Sequence, residues 1–135
     1  MSLLTKAAFR VIPGAFFLSS GISKLKMDEE ASAGLQQFAG TGMPFVEEVP
    51  AHQFGPVVGA SEAIIGGALL ALPIPNRLAG AMLTPFAIGL CSLYFADPAN
   101  RQEDGITPTE QGMSLAKDSW LVALGLGLMA LGDKD

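Results

Sequence analysis

Cysteine and histidine each occur once in the 135 residues, as Cys91 and His52. A single thiol excludes an intramolecular disulfide and a two-thiol relay within one chain. A single imidazole excludes bis-histidine haem ligation and a zinc cluster made by this chain alone. No metal site is expected. Charge is also scarce: 16% of residues are Asp, Glu, Lys or Arg, against about 25% in a typical soluble domain. The net charge of −5 and the lack of a basic patch leave nothing to neutralise phosphates, so nucleic acid is not an expected partner. There is no internal repeat, low-complexity tract or linker, and the length suits one domain spanning 1–135.

What the chain does have is apolar length. Half its residues are hydrophobic, with a mean hydropathy of +0.41. The stretch 54–72, FGPVVGASEAIIGGALLAL, is long enough to cross a bilayer as a helix, at about 1.5 Å per residue. One ionisable residue, Glu62, sits in its middle. Helical spacing puts Gly55, Gly59, Glu62 and Gly66 on one face, a groove that a neighbouring backbone can approach closely. A carboxylate at that depth is costly without a partner, which marks Glu62 as a candidate functional residue.

Three further apolar runs, 3–22, 78–96 and 115–132, predict an all-α integral membrane protein, a four-helix antiparallel bundle. The first run imitates a signal peptide through Lys6, Arg10 and VIPGAFFLSSG, but no convincing A-x-A site follows, so it reads as a retained span, with a cleaved signal as the alternative. Its face Arg10, Gly14, Phe17, Gly21 and Lys24 repeats the spacing of the Glu62 face. The two glycine seams carry opposite charges and are expected to meet, pairing Arg10 with Glu62. The alternative for Arg10 is to snorkel to the interface.

Between the first two runs the chain is polar and acidic, through Asp28, Glu29, Glu30, Glu47 and Glu48. A short surface helix is expected over 31–39, ended by TGMP, with the acidic residues solvated. LPIPNRL makes a tight turn after the second run. Cys91 reads as a packing residue, Tyr94 and Phe95 as an interfacial belt, and Trp120 as an anchor. The DKD tail is expected in solvent. Four spans put both termini on one side, taken as cytoplasmic so that the acidic loops lie outside the cell membrane. Lys24 and Asp118 are then at the same outer level and are expected to interact as a second charge pair, directly or through water.

Arg10 with Gly14, then FFLSSGISKL, GASEAIIGGALLAL, NRLAG and AKDSWLVALGLGLMALG occur in this order along nearly the whole chain. In that order they resemble the DoxX family of small four-helix membrane proteins. The matching positions are Arg10, Gly14, Gly21, Lys24, Leu25, Gly59, Glu62, Gly66, Gly67, Arg77, Lys117 and Asp118. The resemblance implies a membrane subunit tied to sulfur-compound oxidation with quinone as acceptor, or to oxidative-stress defence. Some related four-helix families use paired cysteines, which Cys91 alone cannot supply.

The functional expectation is therefore a subunit of a membrane oxidoreductase assembly that holds a quinone. Glu62 would exchange a proton and Arg10 would tune it. No cofactor is bound within the chain by its own ligands; membrane lipid and partner subunits are the expected partners. The alternative is a non-catalytic accessory subunit, whose charges set helix register and whose acidic loops dock a larger protein. A small transporter is a third reading, for which one balanced charge seam makes a poor aqueous path.

Overall fold

A computed structural model describes residues 2–133. The chain is all-helical: α1 (Leu3–Leu25), α2 (Glu29–Gly40), α3 (Ala51–Leu70), α4 (Asn76–Ala96), α5 (Met113–Lys117) and α6 (Ser119–Leu131), with 3-10 turns at Pro44–Glu48 and Pro98–Asn100. Among the described residues the extended pairing is limited to one isolated bridge, Arg101 with Pro108. Local chemistry sets the starts. The Ser2 hydroxyl accepts from the Thr5 N–H, and the Asp28 carboxylate accepts from the Ala31 N–H at 2.8 Å. Glu29 and Glu30 then fill the first turn of α2, at the positive end of its dipole. The surface helix expected over 31–39 thus exists, begins earlier, and ends at Thr41.

Three helical stretches are long and apolar enough to cross a membrane: Ala51–Leu70, Asn76–Ala96 and Met113–Leu131. The last takes in α5 and α6. The expected fourth, α1, has the length at 23 residues, but Lys6, Arg10 and Lys24 dilute its apolar character. That is the difference between the four runs expected and the three found.

α1 lies antiparallel on α3 through the two glycine seams. A Cβ added at Gly21 would stand 2.5 Å from both the Ala63 nitrogen and the Gly59 oxygen. One added at Gly66 would stand 2.5 Å from the Leu18 nitrogen, and Gly14 is crowded by Leu69 and Leu70. The two backbones are in contact because neither helix has a side chain there. Gly55 serves a different seam. It faces Met27 and Ser32 at the start of α2. The Ser32 hydroxyl donates to the Ala51 carbonyl at 2.5 Å and accepts from the Gly55 N–H at 2.6 Å, bridging the two groups that the helix ladder would join directly.

α6 packs on α4 by the same device, with Gly80 against Gly125. The two helix pairs meet in one core, to which α1 gives Phe17, α3 gives Ile65 and Leu69, α4 gives Ala79 and Leu83, and α6 gives Leu128. Large apolar side chains also cover the outside: Ile12, Phe16, Ile64, Ile88 and Leu126 are all exposed. Of the expected aromatic belt, Phe95 is exposed, whereas Tyr94 is turned inward and its hydroxyl donates to the Ile106 carbonyl at 2.6 Å; Trp120, the expected anchor, is exposed.

The seam gives a paired test. Gly21→Ala should force α1 and α3 apart and lower stability by about 1–3 kcal/mol, since the new methyl meets backbone that cannot rotate away. Gly67→Ala, where a Cβ meets nothing within 4 Å, should leave stability unchanged or raise it by up to about 1 kcal/mol. Thermal unfolding of the purified protein in mild detergent reads both; equal losses would refute the close approach.

Candidate functional site

Arg10 is fully buried, and its partner is not Glu62. Nε donates to the Leu69 carbonyl at 3.0 Å, and Nη2 to those of Ala68 and Ala71 at 2.5 and 3.1 Å. Nη1 donates to the Ile74 carbonyl at 2.6 Å and to Asn76 Oδ1 at 3.0 Å, with Leu72 at 3.5 Å. These carbonyls belong to the last turn of α3 and the turn that follows, where a helix leaves acceptors unsatisfied and its dipole is negative. A guanidinium, with five N–H donors in a planar fork, suits that cup.

Asn76 extends the cluster to the far end of the chain. Its Nδ2 donates to the Gly132 carbonyl at 2.8 Å, and its backbone N–H to the Asp133 carboxylate at 3.0 and 3.2 Å. Pro75 offers α4 no capping side chain, so Asp133, just past the end of α6, closes that N-terminus. The Asn76 N–H, joined by Lys6 at 3.2 Å, holds the Asp133 carboxyl below the usual carboxylate range. Asp133 is exposed, as expected of the tail, and is also tied to the body of the protein through these bonds. Lys134 and Asp135, the rest of that tail, lie outside the described residues.

Glu62 pairs instead with Lys24, whose ammonium lies 2.8 Å from Oε1 and donates to Ser20 Oγ at 2.7 Å. The seam register explains both partnerships. Gly21 sits between Gly59 and Ala63, which brings Glu62 level with Gly21. Lys24 is then about one turn, or about 5 Å, from that level, and Arg10 about three turns, or about 16 Å, in the other direction. Helical side chains also lean towards their own N-terminus. Lys24 therefore leans towards Glu62 and Arg10 away from it. The expected Lys24–Asp118 pair is not formed either: Lys24 is engaged across the α1–α3 seam, and Asp118, between α5 and α6, makes no ion pair among the described residues.

The Lys24–Glu62 pair stands in the wall of a partly open cavity of about 280 Å³ bordered by α1, α2, α3 and α4. Phe38, Met43, Phe54, Phe86 and Leu93 contribute to its otherwise apolar lining. Burial leaves only 7% of the Glu62 side chain exposed, against 24% for Lys24. The opening between α1 and α6, beside Ile12, Phe16 and Trp120, contains no polar side chain. Cys91 is half-buried at a smaller hollow of about 190 Å³ next to Tyr94 and Phe95. Among the described residues no group of three or more metal-ligating side chains converges.

The structure brings together Lys24 and Glu62, and keeps Arg10 and Asp118 away from them. It adds Ser20, which a Ser-x-x-x-Lys spacing along one helical face would have revealed. It also adds α2 as one wall of the cavity, through Leu35, Phe38 and Ala39, which no local motif announces. No protein-family model, curated protein or solved structure matches the chain, and the likeness to the DoxX family rests on the sequence motifs alone.

The two charge sites should respond differently to substitution. Arg10→Met leaves buried carbonyls without donors and should destabilise the protein by about 3–5 kcal/mol. Glu62→Gln keeps an acceptor for Lys24, whose side chain is 24% exposed and can reach water, and should lose less, about 1–2 kcal/mol. Detergent unfolding midpoints of the two variants check this; a larger loss for Glu62→Gln would contradict the assignment of partners.

Proposed function

We propose that this chain is a multi-pass membrane subunit of an oxidoreductase assembly, and that its Lys24–Glu62 cavity holds the ring of a quinone. α1 acts as the fourth span in an antiparallel bundle. The observation that carries the reading is a buried ion pair in the wall of an otherwise apolar cavity. A quinone needs an apolar slot for its ring and a polar group at its head, and this cavity offers both. Its volume is slightly below the ~300–1,000 Å³ usual for small-molecule sites, which suits one substituted ring with its tail lying out between helices.

Embedding in the bilayer is supported by the outer surface. α1 presents Ile12 and Phe16 outwards at 73% and 74% exposure while its basic groups turn inwards or towards its ends. That inversion suits lipid, not water. In this reading Glu62 exchanges a proton with the bound head, Lys24 holds its charge, and Ser20 holds Lys24. Arg10 is a structural clamp, and the tuning role first given to it passes to Lys24. Both termini lie on one side, the cytoplasmic one, and the acidic outer elements face away from it. The link to thiosulfate or oxidative stress comes only from the DoxX resemblance.

The accessory role draws on a separate observation: Asp28, Glu29, Glu30, Glu47 and Glu48 are all exposed on one outer cap, a surface suited to a basic partner. One experiment separates the two readings. The protein is purified from quinone-containing membranes in mild detergent, and bound quinone and co-purifying proteins are identified by mass spectrometry. Near-stoichiometric quinone, lost when Val58→Trp fills the cavity, is the expected result. Partner proteins without quinone would favour the accessory role.

A further inference from the structure

The two oxygens of Glu62 are not equivalent. Oε1 takes the Lys24 ammonium at 2.8 Å, and among the described residues no hydrogen bond to Oε2 is formed. The residue is 95% buried, at 5% exposure. Its side chain lines the cavity together with that of Lys24. A buried carboxylate oxygen left open in an apolar cavity is costly, and a hydrogen-bond donor delivered there relieves the cost.

We infer that the cavity selects a neutral aromatic ring carrying a hydroxyl, which donates to Glu62 Oε2, so that the dihydroxy form of a quinone binds in preference to the dicarbonyl form. The inference rests on the reading of the cavity as a quinone site. A carbonyl head brings only acceptors and leaves Oε2 open. A carboxylate ligand would meet the charge of Glu62, and an amine that of Lys24. A neutral hydroxyl satisfies the open oxygen without disturbing the ion pair. Phe38, Phe54 and Phe86 line the same cavity and offer ring faces and edges to an aromatic ligand.

Binding of three probes to the full chain in mild detergent, under anaerobic conditions, tests this. The probes are a short-chain hydroquinone, the matching quinone, and the hydroquinone dimethyl ether, which keeps the shape but has no donor. The hydroquinone should bind about tenfold more tightly than either of the others. In Glu62→Leu the preference should fall to about twofold or less; Lys24→Met combined with Glu62→Met serves as a second variant with no stranded charge, and unfolding midpoints confirm that both are folded. Equal binding of hydroquinone and ether by the parent would overturn the donor requirement while leaving the cavity as a ring site. Binding of none of the three would overturn the quinone reading and this inference with it.

Discussion

Contact between the backbones of α1 and α3 governs most of what this molecule can do. Gly14 and Gly21 on one helix meet Gly59 and Gly66 on the other, with no side chain between them. Because a Cβ at Gly21 or Gly66 would meet main-chain atoms at 2.5 Å, the helices cannot slide by a residue without a clash. The register is therefore set by small residues, and the charged side chains take whatever partners that register supplies.

Two charge sites result, at different depths. Towards the ends of the chain, Arg10 closes the C-terminal turn of α3, Asn76 bonds both Arg10 and Gly132, and Asp133 closes the N-terminus of α4. This network stitches four helices through backbone groups that would otherwise be unsatisfied in an apolar setting. Deeper towards the acidic cap, Glu62 and Lys24 form an ion pair in the wall of a cavity. Saturated bonding fits a structural clamp; incomplete bonding beside a cavity fits a ligand site.

Much of this was legible from the residues. Continuous apolar runs broken by proline-bearing turns located α1, α3 and α4 and the stretch that divides into α5 and α6, and the run 31–39 ahead of TGMP marked a surface helix whose first turn, Glu29 and Glu30, reads as solvated loop from sequence. Four of the five glycines on the two expected faces, Gly14, Gly21, Gly59 and Gly66, lie between α1 and α3, while Gly55 lies against Met27 and Ser32. The partner of each charge was misplaced, because pairing α1 and α3 by the middles of their apolar runs put Arg10 close to Glu62. Matching Gly14 and Gly21 to Gly59 and Gly66, both seven apart, would have given the observed register directly. The cavity was beyond local reading, since its walls come from α1, α2, α3 and α4 and depend on how α2 folds back over α3 through Ser32.

The central claim is that Glu62 is energetically coupled to Lys24 and not to Arg10. Double-mutant cycles on unfolding free energy measure that coupling directly. Lys24→Met and Glu62→Met, singly and together, should show an interaction energy above about 0.5 kcal/mol. The cycle with Arg10→Met in place of Lys24→Met should be additive to within about 0.5 kcal/mol. Strong coupling between Arg10 and Glu62, with none between Lys24 and Glu62, would contradict the register and the site built on it.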